Sequence, residues 1–136
     1  MNIKCFLLED TGKMTDFING ISSPVLKRVD TCEEMIWNDA PIGAIQRASY
    51  FEDNKELCGL DGKSYIVKTP GGDWCIDIRA SNCTKPNDNI HKCWCRHGEA
   101  PNFTVDKKGN TCSAGAGSIA IGKYHGFLIN GELTNC

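Results

Sequence analysis

The sequence has no basic cluster and no long hydrophobic run. Its formal net charge is −2 and its isoelectric point is about 5.9, whereas domains that bind duplex nucleic acid generally carry clustered Lys and Arg and a basic isoelectric point. The N-terminal apolar run, residues 3–8, is shorter than the hydrophobic region of a signal peptide and far shorter than a membrane span. We therefore expect neither duplex nucleic acid nor a membrane as a partner, and we predict a cytoplasmic location.

Catalytic signatures are also missing. The sequence contains no nucleophile elbow, Walker motif, dinucleotide fingerprint or HExxH stretch, which favours binding over turnover without deciding whether the protein is an enzyme. A closed disulfide framework is disfavoured because the nine cysteines are odd in number and the expected compartment is reducing. Free thiols or metal ligands are the favoured interpretation of these cysteines.

The length of 136 residues suits one domain with its own core. We predict a mostly β, α+β fold, either a compact antiparallel sheet or a small barrel-like domain with one or two short helices. Within the single domain, residues 1–38 are expected to mix helix and strand. Residues 39–136 are expected to be β-rich and to carry a cysteine and histidine cluster.

Local patterns predict the elements of the N-terminal part. Residues 3–8 and 24–29 are typical of strands, and residues 13–19 are expected to form a short helix that ends at Gly20. Residues 32–37 suit either a helical turn, because a capping-box spacing precedes them, or an edge strand.

Strand signals dominate after residue 40. Residues 42–51 are predicted to be a strand, and two strands of similar length flank a turn at residues 70–72. A second hairpin is predicted at Asn130-Gly131, because both positions of the favoured two-residue turn need positive φ. The segment HKCWCRH, residues 91–97, is also expected to be a strand.

That segment carries four potential metal ligands at alternate positions, which would place them on one face of a strand. One ion cannot reach all four, because a strand rises about 3.3 Å per residue. A structural zinc site could combine two of them with cysteines from the flanking segments. The alternatives are a core strand that uses cysteine as a small hydrophobe, or a disulfide. The predicted zinc ligands are Cys83, His91, Cys93 and Cys112.

A Gly-rich segment, TCSAGAGSIAIG, occupies residues 111–122. Such a segment lets the backbone approach a ligand closely and can point successive N–H groups at an anion. With nearby cationic and aromatic side chains it would suit a phosphate-bearing small molecule. The alternative is a tight bulge in which only small residues fit, with Trp94 buried in the core. The predicted ligand-binding residues are Trp94, Arg96, His97, Gly115, Gly117, Ser118 and Tyr124.

A catalytic interpretation pairs a cysteine nucleophile with a histidine base. Such a pair needs the two side chains within hydrogen-bond reach and usually a third group that orients the base. The candidates are Cys93, Cys95 or Cys112 as nucleophile and His91, His97 or His125 as base.

The stretches WCIDIRASNCT, DNIHKCWCRHG, TVDKKGNTCSAGAGSI and YHGFLINGELT together resemble a family of small proteins encoded by tailed phages and prophages. The resemblance runs from residue 61 towards the C-terminus, with a further similar stretch at residues 39–44. The family pattern includes Cys83, His91, Cys93, His97 and Cys112. Cys95 departs from it, because an aliphatic residue is more usual there, which favours Cys93 over Cys95 as a ligand.

The resemblance implies a phage context and brings no activity or ligand with it. We therefore expect a non-catalytic accessory protein that binds a host protein or a nucleotide-like anionic ligand, for host takeover or anti-defence, in the cytoplasm of the infected cell. One alternative is a head or tail component of the virion. Homo-oligomer formation is compatible with either role. The other alternative is a Cys/His- or metal-dependent hydrolase.

Overall fold

The computed structural model describes residues 2–17, 19–59, 61–78, 83–85, 87–88, 93–109 and 118–136. Strands make up 45% of this part and helical residues 8%, which confirms the predicted mostly β fold. The helical residues form three single 3-10 turns, at Trp37–Asp39, Ser49–Phe51 and Lys55–Leu57. None of the helical segments described is long and apolar enough to cross a bilayer.

The strands of the described part fall into two six-stranded sheets. In chain order they are β1 (Asn2–Lys4), β2 (Phe6–Met14), β3 (Pro24–Arg28), β4 (Glu34–Met35), β5 (Ala44–Arg47), β6 (Tyr65–Thr69), β7 (Gly72–Cys75), β8 (Cys95–His97), β9 (Thr104–Asp106), β10 (Ile119–Ile121), β11 (Tyr124–Ile129) and β12 (Glu132–Asn135). The first sheet has the order β4-β3-β2-β5-β6-β7, and the second has the order β1-β12-β11-β9-β8 with β10 also paired to β11. Neighbouring strands are antiparallel except β2 and β5, which are parallel.

The chain passes from the second sheet to the first at Cys5. The backbone N–H of Cys5 donates to the carbonyl of Gly131 in the second sheet at 2.7 Å, whereas the N–H of Phe6 donates to the carbonyl of Gly43 beside the first sheet at 3.1 Å. Cys5 itself is buried between them. The apolar run predicted as one strand is therefore two strands, because each half pairs with a different sheet.

The main core lies between the two sheets. Ile45, Val67 and Trp74 are cross-strand neighbours on the first sheet, and they belong to one cluster with Leu128 and Leu133 of the second. Each fully buried aliphatic or aromatic side chain of this kind stabilises the fold by about 1.5–3 kcal/mol relative to an exposed one.

The outer face of the first sheet has a second, smaller core. It consists of Phe6, Leu8, Leu26, Ala40 and Ala44, with Met35 and Trp37 packed against it. The central strands β2 and β5 are therefore buried on both faces, which explains why their first residues form continuous apolar runs instead of alternating.

The helix predicted over residues 13–19 is wrong, because β2 continues as far as Met14 and the described residues 15–17 and 19 are not helical. Hydroxyl side chains satisfy backbone groups of the extended chain here. Thr11 Oγ1 donates to the carbonyl of Val25 at 2.7 Å, and the N–H of Ser23 donates to Thr15 Oγ1 at 2.9 Å. Such bonds compete with a helix. Pairing with β3 then fixes the chain as a strand as far as Met14.

The strand predicted over residues 42–51 is correct only over β5, because a 3-10 turn at Ser49–Phe51 follows it. Other local predictions are confirmed. The strand predicted over residues 24–29 is β3, and the edge-strand alternative for residues 32–37 is correct over β4. Both hairpins are confirmed by the β6–β7 and β11–β12 pairings. Asn130 and Gly131 have φ angles of 46° and 76°, as the predicted turn requires.

Of the described residues 93–97 in HKCWCRH, Cys95–His97 form a strand. Cys93 and Trp94 are adjacent and both buried, so the expected alternation does not extend to them. Residues 91 and 92 lie outside the described part of the chain.

Candidate functional site

A cleft of about 380 Å³ lies beside β8, where loops of both sheets converge. Trp94, Arg96 and His97, three of the predicted ligand-binding residues, line it. Lys108 and Gly109, which precede the Gly-rich segment, line it as well. The structure therefore brings part of the predicted binding surface together.

Arg96 is the central side chain of this cleft. Its Nη2 and Nη1 atoms donate to Oδ1 and Oδ2 of Asp61 at 2.9 and 3.2 Å, a bidentate ion pair. Its Nε lies 3.3 Å from Oδ2 of Asp77, and Nη2 also donates to the carbonyl of Lys63 at 3.2 Å. The side chains of Arg96 and Asp77 are only 8% and 2% exposed, so this pair is removed from solvent.

Two aromatic rings also contact the guanidinium of Arg96. The Cζ atom of Arg96 lies 4.7 Å from the ring centroid of Tyr65 and 5.1 Å from that of Phe103, within cation–π range. A Cβ atom on Gly59 would lie 2.5 Å from Nη2 of Arg96, so a larger residue would displace the guanidinium. Because Arg96 lies on the second sheet and Tyr65 on the first, the cluster joins the two sheets.

The charges of the cluster compensate one another. Burial alone would raise the pKa of Asp61, but hydrogen bonds from Arg96 and from the Lys63 backbone outweigh it and lower that pKa. Burial would lower the pKa of Arg96, but Asp61 and Asp77 outweigh it and raise that pKa. Arg96 therefore acts as an inter-sheet clamp and offers little net positive charge to an anion.

His97 lies at the rim of the cleft with a carboxylate partner. Its Nε2 is 2.9 Å from Oδ1 of Asp106, and both side chains are 43% exposed. The same oxygen accepts the backbone N–H of Lys108 at 2.8 Å. Cys95, the residue opposite Asp106 in the register of β8 and β9, is half-buried. The imidazole is thus oriented by Asp106, across the strand pair.

The other predicted ligand residues lie elsewhere. Tyr124 is buried, does not line the cleft and donates its hydroxyl to the carbonyl of Thr134. Ser118 Oγ lies 2.7 Å from Nε2 of His125 on the β10–β11 pair. Gly115 and Gly117 fall outside the described residues.

Two of the four predicted zinc ligands are in the described part of the chain. Cys93 is 3% exposed in the main core, and Cys83 packs against the same core. The backbone N–H of Lys85 donates to Cys83 Sγ at 3.3 Å. His91 and Cys112 are not among the described residues, and within those residues no group of three or more His, Cys, Asp or Glu side chains is arranged to hold a metal.

The β2–β3 hairpin is a feature that the sequence patterns missed. β2 pairs with β5 only over Phe6–Leu8, although it continues to Met14. β3 pairs with β4 only at Leu26 and Lys27. Beyond these contacts, residues 11–17 and 19–24 belong to a two-stranded ribbon, here called the arm.

The arm exposes large apolar side chains. Met14 is 56% exposed, Phe17 77% and Ile21 69%. Its backbone is nonetheless ordered by pairing, since the N–H of Thr15 donates to the carbonyl of Ser23 at 2.9 Å. The apolar side chains are therefore presented to solvent on a paired scaffold.

No protein-family model, curated protein or solved structure matches this chain. The phage resemblance therefore stays a prediction.

Proposed function

We propose that this protein acts by binding another protein, without catalysis, and that the arm is its docking element. The observation that carries the proposal is the exposure of Met14, Phe17 and Ile21 on a ribbon with paired backbone. Soluble monomers rarely leave large contiguous apolar patches uncovered unless they serve an interaction. An aromatic side chain that enters a pocket on a partner is a typical energetic centre of an interface.

The charges around the arm indicate the chemistry of the partner. Glu9, Asp10 and Asp16 carry negative charge on or beside the arm, whereas Lys13 is paired with Glu34 at 2.8 Å. The partner surface should therefore combine an apolar pocket with a basic rim. In the phage context predicted from the sequence, that partner would be a host protein.

A nucleotide-like anion in the Arg96 cleft is less well supported. Arg96 and Lys108 supply positive charge there, but Asp61 and Asp77 line the same cleft and already bind Arg96. Without a surplus of positive charge, a phosphate gains little from entering.

Photo-crosslinking tests the proposal directly. A photoreactive phenylalanine analogue is placed at Phe17 and, as a control, at Ile129, which is 51% exposed on the second sheet. In extract from the cells that naturally produce the protein, we expect one dominant heterologous adduct from position 17 and none from position 129. Unlabelled wild type should compete for the adduct, and the Phe17→Asp variant should not.

Equal labelling from both positions would contradict the proposal, as would competition by Phe17→Asp. An adduct containing only a second copy of this chain would replace it with self-association. The free energy of unfolding of Phe17→Asp should lie within about 0.5 kcal/mol of the wild-type value, because surface substitutions of this kind rarely cost more.

A structural zinc ion held by the four predicted ligands, Cys83, His91, Cys93 and Cys112, is a second proposal. Its support is the N–H bond from Lys85 to Cys83 Sγ and the packing of Cys83 and Cys93 in one core. Metal analysis of protein purified under reducing conditions should find about one zinc per chain, which chelator removes with loss of folding. Protein that folds without metal would refute it.

A further inference from the structure

A groove crosses the outer face of the first sheet. It has a volume of about 590 Å³ beside β2, and a neighbouring hollow of about 230 Å³ continues it towards Trp37. Pro24, Leu26, Gln46 and Tyr50 line both hollows. The groove thus begins at the base of the arm and runs across the second, smaller core.

Gln46 is a buried polar residue that lines both hollows. It lies in β5, where its backbone faces Leu8 of β2 and Ile66 of β6, and only 9% of it is exposed. Within the described part of the chain, its side-chain amide makes no hydrogen bond. Buried polar groups nearly always have a partner, and one without a partner destabilises the fold. A bound ligand would provide the partner.

We propose that this groove binds an extended peptide segment of the partner protein, and this proposal rests on the protein-binding function above. In an extended segment the N–H and C=O of one residue point to the same side. The Gln46 amide has one acceptor oxygen and an NH₂ donor, so it can pair with both groups of a single peptide residue.

The surroundings of Gln46 suit the side chains of such a segment. Leu26 supplies an apolar floor, and Tyr50, which is 63% exposed, supplies a wall. Glu9 and Asp10 line the end of the groove at the arm, whereas Arg47 is neutralised by Glu52. The charge therefore favours a segment with apolar residues and a Lys or Arg at the arm end, and disfavours a phosphorylated ligand.

The test begins with a display library of random peptides selected on the folded protein. We expect selected peptides to share apolar positions and a basic residue. Their affinity, measured by calorimetry, should fall about tenfold or more in Gln46→Leu. The same variant should melt at the wild-type temperature or above it, because it removes an unpaired buried amide. Asp10→Asn should weaken only the peptides that contain the basic residue.

A direct readout is the nuclear magnetic resonance signal of the Gln46 side-chain NH₂, which should shift when peptide is added. Unchanged affinity in Gln46→Leu would overturn the proposal, and so would a selection that yields no binding peptide. Adenosine, a neutral probe with a planar hydrogen-bonding edge, is titrated in parallel. A Gln46-dependent response to adenosine with none to peptides would overturn the peptide assignment.

The two proposals fail separately. If crosslinking from position 17 succeeds while the peptide test fails, the arm remains the docking element and the groove is not part of the interface. If peptides bind through Gln46 while position 17 gives no adduct, the groove stands and the role of the arm is wrong. Ile129→Asp, on the second sheet and outside the groove, should leave the affinity for short peptides unchanged.

Discussion

Replacing Arg96 tests whether the clamp between the sheets is as important as its geometry implies. In Arg96→Met the apolar part of the side chain can still pack against the Tyr65 and Phe103 rings. The carboxylate of Asp77, 2% exposed, loses its ion-pair partner. Removing one partner of a buried pair costs about 3–5 kcal/mol. That is a large fraction of the roughly 5–15 kcal/mol that holds a typical domain folded.

The companion variant is Arg96→Met combined with Asp77→Asn. It removes both buried charges, and a buried ion pair replaced by neutral groups is often close to neutral for stability. We therefore expect the double variant to be more stable than Arg96→Met alone. Asp61 can stay unchanged because its side chain is 44% exposed and water can solvate it.

Urea unfolding followed by tryptophan fluorescence measures these differences. Lys13→Met is the matched control, because it breaks an ion pair at the surface. The side chain of Lys13 is 59% exposed and that of its partner Glu34 is 42% exposed. Such surface pairs contribute about 0–1 kcal/mol. The clamp interpretation is refuted if Arg96→Met loses no more unfolding free energy than the control Lys13→Met. It is also refuted if the double variant is less stable than Arg96→Met alone.

The same cluster should make the fold sensitive to acid. Folding lowers the pKa of Asp61 below its value in the unfolded chain. The ionised carboxylate therefore stabilises the fold above the unfolded pKa of about 3.9, and this stabilisation is lost as the pH falls from there through the folded pKa. Unfolding by urea at a series of acidic pH values should show this loss. Asp61→Asn should flatten that part of the profile, and an unchanged profile would contradict the assignment.

The cysteines should react in an order set by burial. Cys32 and Cys136 are exposed and should label first with a thiol reagent. Cys5 should label only on unfolding, because burial, reinforced by the Glu132 charge, raises its pKa to about 12 and keeps the thiol protonated. If zinc is bound, Cys83 and Cys93 should become more reactive after chelation. Mass spectrometry after timed labelling distinguishes these classes, and early modification of Cys5 would refute the order.

The parts of the fold that could be predicted from sequence are those with a local cause. The Asn130-Gly131 turn follows from the backbone freedom of two adjacent residues, and its φ angles of 46° and 76° agree. The helix predicted after residue 12 was wrong because the conformation there is set by hydrogen bonds to β3 across the hairpin. No window of local sequence contains both sides of that pairing.

The candidate site also depends on residues that are distant in sequence, so local patterns could not predict it. HKCWCRH indicated Arg96 as a surface cation for an anion, but Asp61 and Asp77, 35 and 19 residues away in sequence, fold onto it and neutralise it. The exposure of Phe17 is likewise invisible until the neighbours of β2 are known. An apolar residue near a strand normally predicts core, but Phe17 lies three residues beyond the end of β2 and is 77% exposed.

Gln46 combines both effects. In the alternation of β5 it points away from Ile45 and so away from the main core, as a polar residue on a sheet surface would. That surface is itself covered, because Leu8 and Leu26 beside it belong to the second, smaller core. Only 9% of this polar residue is therefore exposed, although it lines an open groove. Because the free protein gains nothing from that arrangement, Gln46 is the residue at which binding should be measured first.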